Sequence, residues 1–160
     1  MRKQRRIVVI ISFFTVLILG GVSSAFAQYS KPVMRVYAAP YDTVWKALKE
    51  TVIANKYVIN VDKKREGDLE TNVLILVNSD SVLDVMNQYG DVPFIPSAQW
   101  QWGQSQLTCR VKLVDTVVNL SITAQLRVYD NYTTNKWQYF ASNGKIENAL
   151  FDEVEKRMGR

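Results

Sequence analysis

The chain has 160 residues, with 20 basic and 15 acidic side chains, one cysteine and no histidine. The absence of histidine excludes histidine-based catalytic triads and the usual zinc sites. The single cysteine, Cys109, excludes an internal disulfide. A chain of this length is typical of one domain with a substantial core.

The first 27 residues carry the three parts of a secretory signal peptide. Four basic residues precede an apolar run from Ile7 to Leu19, and the small residues Ala25 and Ala27 stand at the end. We therefore predict cleavage between Ala27 and Gln28, and a periplasmic or secreted location in a bacterium. An uncleaved membrane anchor is the alternative, because residues 7–27 nearly supply the roughly 20 apolar residues of a spanning helix.

Cleavage changes the electrostatic interpretation of the chain. Four of the 20 basic residues lie in the signal peptide, so the remaining 133 residues carry 16 basic and 15 acidic side chains. The mature protein is thus near neutral, and the excess of basic residues in the full chain does not indicate a nucleic-acid partner. No cysteine follows the cleavage site directly, which excludes a bacterial lipoprotein.

A strand, a helix and a hairpin are predicted in the first part of the mature chain. Residues 33–37 alternate as a strand does, and residues 39–56 carry apolar side chains at the helical spacing, from Pro40 to a cap near Asn55. Residues 57–61 and 69–77 are predicted to pair as a hairpin with a glycine-containing turn. The later half of the second strand is apolar on both faces, which predicts either a central strand with a cover on each side or a strand covered by the segment that follows.

The turn of this hairpin is highly charged. Residues 63–65 are basic, and four acidic residues stand around them between Val61 and Thr71. The opposite charges offset one another, so no net field attracts a charged ligand. We expect this stretch, with Gly67 at its centre, to be the solvated tip of the hairpin.

Residues 79–104 are predicted to form an inserted helix and loop. Apolar residues between Val82 and Tyr89 recur at the helical spacing, and Gly90 marks the end of the helix. The loop contains two prolines and four large apolar residues, namely Phe94, Ile95, Trp100 and Trp102. These four are our candidate partner-binding residues, because rigid aromatic side chains are typical anchors at interfaces. The alternative is that they cover the core between helix and sheet.

The last part of the chain is predicted to form three strands and a long helix. Residues 106–114 and 118–129 alternate cleanly and join near Asp115, and residues 135–142 form a further strand. Residues 142–158 carry one apolar stripe at the helical spacing, with Ser142 or Asn143 as the cap.

The order of these elements predicts a single α+β domain over residues 28–160. Its antiparallel sheet of about five to six strands packs against an N-terminal helix and a long C-terminal helix. Cys109 shares the alternation phase of Leu107 and Val111, which indicates a buried core residue and not a reactive thiol.

Three segments resemble a known family. They are the pattern P-x-D-x-V-W-x-A-L at residues 40–48, the hairpin at residues 57–71, and the closing S-N-G-K-I-E-N-A-L at residues 142–150. Together they resemble the helix-grip domains of the BamC (NlpB) type, which are lipoprotein components of the β-barrel assembly machinery. The resemblance implies a helix-grip two-layer fold and a role in outer-membrane or envelope assembly.

Motifs for catalysis are missing from the sequence. It contains no glycine-rich phosphate loop and no EF-type calcium loop, and the carboxylates Asp62 and Glu70 suit the protection of an edge strand. We expect no enzyme activity, no cofactor and no metal site.

Two functional interpretations remain open at the level of the sequence. In the first, the protein is an exported interaction module that binds an envelope protein partner. In the second, it carries a small apolar ligand or lipid between the sheet and the C-terminal helix. Large inward residues such as Leu107, Leu120 and Leu150 argue against an empty cavity there.

Overall fold

The computed structural model describes residues 30–159. The predicted signal peptide and its cleavage site at Ala27 and Gln28 lie outside these residues. The described chain is an α+β domain in two layers, with a seven-stranded antiparallel sheet and three helices. No helix among the described residues has the length and apolar character needed to cross a membrane.

The bounds of the elements are as follows. The strands are β1 (Val33–Tyr37), β2 (Ile59–Lys63), β3 (Asp68–Thr71), β4 (Leu74–Asn78), β5 (Trp100–Val114), β6 (Val117–Asp130) and β7 (Lys136–Ala141). The helices are α1 (Tyr41–Ala54), α2 (Val82–Met86) and α3 (Lys145–Arg157).

The two longest strands, β5 and β6, form a hairpin that runs through the whole sheet. Each is long enough to pair with two shorter strands placed end to end. On one side β6 pairs with β1 and then with β7, and on the other side β5 pairs with β3 and then with β4. The sheet therefore has a lower half, with β1, β2 and β3, and an upper half, with β4 and β7.

All three helices pack on one face of the sheet, which we call the inner face. Helices α1 and α3 cover its lower half and bury a large cluster that includes Trp45, Leu48 and Phe151. Helix α2 covers the upper half and buries a smaller cluster around Met86, with Leu126, Val128 and Phe140 from the sheet. The opposite, outer face carries the other residues of the alternation.

Both flanking rows of strands are interrupted at the same level of the central hairpin. Leu107 and Ala124 are opposite each other in β5 and β6, and no flanking strand formed by residues 30–159 reaches either of them. Two side chains instead accept the backbone amides that point away from the hairpin within the plane of the sheet. Thr71 Oγ1 accepts the amide of Leu107 at 3.0 Å, and the carboxylate of Glu147 accepts the amide of Ala124 at 2.9 Å.

The predicted strand at residues 69–77 is two strands, β3 and β4, which explains why the sheet has seven strands. For its second half, the prediction of a central strand covered on both sides is wrong. The alternative, cover by the segment that follows, holds on the inner face, where Leu76 and Val77 pack against the cluster of Val82 and Met86. Among the described residues β4 pairs with β5 alone, and Ile75 is 56% exposed. Its inner-face side chains pack toward α2 or line a cleft, while no described helix lies over the outer face, so both faces of β4 are apolar without both being buried.

Two predicted boundaries differ from the structure. Strand β5 begins at Trp100, so residues 100–104 belong to the sheet and not to the inserted loop. A register shift between Trp100 and Trp102 hides the strand, because it interrupts the alternation. Helix α3 begins after Gly144 (φ 87°), so neither Ser142 nor Asn143 occupies the cap position.

The charged hairpin turn is only partly solvated. Residues 62–66 are exposed, but Gly67 is buried and its carbonyl accepts the amide of Val111 at 2.8 Å. Gly67 has φ 78°, and a Cβ there would lie 1.9 Å from the Val111 carbonyl oxygen. Glycine is required for both reasons. The prediction that Cys109 is a buried core residue is confirmed, since it is 1% exposed in the lower core.

Candidate functional site

The outer face of the upper half carries a group of aromatic side chains on the solvent side of the sheet. We call Trp102, Tyr129 and Trp137 the outer aromatic cluster. They come from β5, β6 and β7 and lie in one row, because Tyr129 is opposite Trp102 on one side and Trp137 on the other. The described helices lie on the other face, so this cluster contributes to neither hydrophobic core.

The three rings of the cluster contact one another closely. The ring centroids of Tyr129 lie 5.6 Å from Trp102 and 5.2 Å from Trp137, and the two tryptophans are 6.3 Å apart. These distances are typical of favourable aromatic pairs. The cluster is therefore a preformed surface that loses little side-chain freedom when something binds to it.

Arg127 lies beside the cluster, and three neighbouring side chains contact its guanidinium group. Its Nε donates to Gln104 at 2.9 Å, and one terminal nitrogen donates to the Tyr139 hydroxyl at 3.1 Å. The guanidinium carbon lies 4.4 Å from the Trp137 ring centroid, which is cation–π geometry. A fixed guanidinium next to aromatic rings suits recognition of a carboxylate.

The remaining outward residues of the upper half are mostly amides. Gln106 and Gln125 are opposite each other one step below Gln104 and Arg127. No outward side chain that the structure describes in this half carries a carboxylate, so the site has a positive character centred on Arg127. It offers rings for apolar contact, and amides with one cation for polar contact.

The structure separates the four residues that the sequence suggested as partner-binding. Trp102 belongs to the outer aromatic cluster, but Trp100 lies on the inner face and packs against the smaller core cluster. Phe94 is 91% exposed on the loop before β5, and Ile95 is half-buried in that loop. Trp100 thus helps to cover the core, and the four residues do not form one site.

Sequence reasoning missed Arg127, Tyr129, Trp137 and Tyr139 as site residues. A signal for them exists, since the alternation of residues 118–129 already assigns Arg127 and Tyr129 to the polar face of their strand. A tyrosine at the end of an otherwise polar face is unusual, and it marks the site once the facing strand is known.

Asp130 fixes the turn next to the cluster. This buried carboxylate accepts backbone amides of Gln99, Tyr132, Thr133 and Thr134 at 2.6–3.2 Å. Burial alone would raise the pKa of Asp130, but the hydrogen bonds from these amides outweigh it and lower the pKa below its usual range. Asp130 thereby ties the loop before β5 to the β6–β7 turn.

Several concave regions lie away from the cluster. A groove of about 650 Å³ adjoins the charged hairpin turn and is lined by Tyr41, Lys64, Arg65 and the end of β5; Lys64 there pairs with Asp42 at 2.9 Å. A smaller cleft of about 340 Å³ lies between α3 and β4. Over residues 30–159 no group of three or more acidic or cysteine side chains is arranged to hold a metal ion.

No family model matches this chain, and no curated protein matches its sequence. The likeness to BamC-type domains thus stays a prediction that rests on the three segments quoted above.

Proposed function

We propose that this protein is an exported, non-enzymatic interaction module of the bacterial envelope that binds a partner protein through the outer aromatic cluster. The observation that carries the proposal is the stack of Trp102, Tyr129 and Trp137 on the solvent side of a sheet whose core lies on the other face. The envelope assignment is supported by the predicted signal peptide and by the resemblance to BamC-type domains.

The composition of the site supports a protein partner. Tryptophan, tyrosine and arginine dominate the binding energy of protein interfaces, and here all three types adjoin one another. The rings supply apolar area, and the pairing of Arg127 with Gln104 and Tyr139 pre-orders the cation. A segment with apolar side chains and a carboxylate complements this surface.

Site-specific photo-cross-linking in cells tests the proposal. A photo-cross-linking amino acid replaces Tyr139, which is 39% exposed beside Arg127, and a matched control replaces Ile53, which is 59% exposed on α1. We expect an envelope protein to be captured from position 139 and not from position 53. Capture should fall sharply when Arg127→Ala or Trp137→Ala is added. Equal capture from both positions would contradict the proposal. So would an amount of captured protein that neither variant changes.

A carrier of a small apolar ligand is the second candidate, and the cleft between α3 and β4 supports it. Tyr57, Leu74, Leu76, Ile146 and Leu150 supply most of its apolar lining. The volume of about 340 Å³ is at the lower limit for ligand pockets, and buried side chains fill the rest of the space between helix and sheet. Native mass spectrometry of the purified mature protein distinguishes the two functions. A carrier should show the added mass of a bound lipid, and an interaction module should show the mass of the protein alone.

A further inference from the structure

We propose that the free edge of β4 and the cleft beside it form a second docking site, which accepts an extended segment of a partner protein as an added β-strand. The segment carries apolar residues at alternating positions and a carboxylate near Lys145. This site is separate from the outer aromatic cluster and extends the proposed function to a second surface.

The described part of the sheet has an unfilled strand position beside β4. In the lower half β2 flanks β3, but in the upper half no strand among the described residues flanks β4. Natural edge strands are usually protected by charges or proline. Strand β2 carries Asp62 and Lys63, whereas β4 has neither a charge nor a proline and exposes 56% of Ile75.

The backbone of β4 is oriented to pair with such a strand. The amides of Leu107 and Val111 point toward the β3–β4 side of β5, so the amide of Ser105, two residues before Leu107, points the same way. Leu74, opposite Ser105, therefore faces β5 with its backbone groups. The backbone groups of Ile75, the next residue, point away from β5 toward the unfilled position.

The cleft accounts for the alternation that we expect in the partner. Leu74 and Leu76 of β4 form one wall, and Ile146, Ala149 and Leu150 of α3 form the other. Every second side chain of an added strand points to the inner face and enters this cleft. Apolar side chains there would cover Leu74, Leu76 and Tyr89, so each inward residue of the partner gains apolar contact.

Charge complementarity defines one end of the site. Lys145 is the single charged residue in the lining of the cleft. Its ammonium has no ion-pair partner among residues 30–159, and it stands in the first turn of α3, where the helix dipole is also positive. Both features favour a carboxylate of the partner at this end.

Selection from a phage-displayed library of random nine-residue peptides tests the proposal on the mature chain. We expect enriched peptides to alternate apolar residues and to contain Asp or Glu toward one end. Ile75→Pro removes the backbone amide that points away from β5, at an edge position where proline is tolerated. This variant should weaken binding of a synthetic enriched peptide at least tenfold. Lys145→Glu should shift the selection toward Lys- or Arg-containing peptides, while the control Lys156→Glu in the last turn of α3 should not.

The other outcomes are equally informative. Trp137→Ala should leave peptide binding unchanged, so failure of the outer cluster and failure of this site are distinguishable. No enrichment, or enrichment that neither Ile75→Pro nor Lys145→Glu alters, overturns the proposal even if one variant unfolds, because the Lys145 change is on the surface. A dimer in light scattering that Ile75→Lys dissociates would assign the edge to a second copy, and lipid in the cleft by native mass spectrometry would assign it to a carrier.

Discussion

The carboxylate of Glu147 accepts the backbone amide of Ala124, 2.9 Å away, from within a fully buried position in the first turn of α3. Its second oxygen accepts the hydroxyl of Ser142 at 2.7 Å. The helix thus completes the hydrogen bonding of the central strand where β1 has ended and β7 has not begun. A buried carboxylate is retained here because a backbone amide would otherwise have no acceptor.

Glu147→Ala should destabilise the fold strongly, because it leaves the buried Ala124 amide without a partner. We expect a loss of about 2–3 kcal/mol in the free energy of unfolding, measured by urea denaturation. Glu147→Gln keeps an acceptor and should lose clearly less. Lys156→Ala on the exposed side of the same helix is the control, and equal stability of all variants would contradict this role.

Asp130 predicts a pH dependence of stability. Because hydrogen bonds hold its pKa below the unfolded value of about 3.8, its contribution is complete above that pH and is lost as the pH falls further. Asp130→Asn should therefore lower the melting temperature at pH 7 and lower it by a smaller amount at pH 2.5, where part of the contribution has been lost. Thermal unfolding followed by circular dichroism measures both differences, with Asp84→Asn on an exposed turn of α2 as the control. A difference independent of pH would be inconsistent with the proposed hydrogen bonding.

Cys109 should not react in the folded protein. Burial raises the pKa of its thiol to about 12, so at pH 8 the thiolate is both scarce and inaccessible. A chromogenic disulfide reagent should modify the protein in urea within seconds and leave the native protein unmodified over the same period. Rapid modification without urea would show that the lower core opens readily.

The two tryptophans at the start of β5 should respond differently to truncation. Trp100 packs against the inner core, so Trp100→Ala should lose about 2–3 kcal/mol of stability. Trp102 lies on the outer face, so Trp102→Ala should lose about 1 kcal/mol and affect partner binding instead. Urea denaturation of both variants, together with cross-linking from position 139, separates the two roles. A loss of stability for Trp102→Ala as large as that for Trp100→Ala would show that the outer aromatic cluster stabilises the fold.

Thr51 offers a stabilising substitution. Its hydroxyl is buried in α1 and has no hydrogen-bond partner among the described residues. Replacement by valine keeps the shape of the side chain and removes the unpaired polar atom, so Thr51→Val should raise the stability by about 1 kcal/mol. Calorimetry of the two proteins checks this, and a lower melting temperature for Thr51→Val would indicate that an internal water pairs with the hydroxyl.

The sequence predicts the elements of the fold well because their patterns are local. The stripe from Val44 to Val52 requires only the helical period, and the alternation of residues 118–129 requires only the strand period. The break at Asn72 and Val73 could not be predicted, since it depends on the length of β5, a strand with which these residues pair only in the folded chain.

The candidate site was less predictable, since it depends on register. Trp102, Tyr129 and Trp137 come from three strands, and the sequence alone does not place them in one row. The five-residue connection at residues 131–135 sets Tyr129 opposite Trp137, but the shift between Trp100 and Trp102 sets the third ring. Gly103 suggests a bulge in this region, yet the exact position of the shift follows only from the pairing with β6.

The long hairpin of β5 and β6 contributes strands to both hydrophobic clusters, and it has a further consequence for the way the molecule opens. The amides that join β5 to β6 can exchange with solvent only when this shared hairpin separates, so they should behave as one cooperative unit across both halves in hydrogen exchange. The short strands, by contrast, each end at the interruption beside Leu107 and Ala124. Strands β4 and β7 can therefore open from the upper end while β5 and β6 stay paired with each other, so their amides should exchange earlier than those of the hairpin.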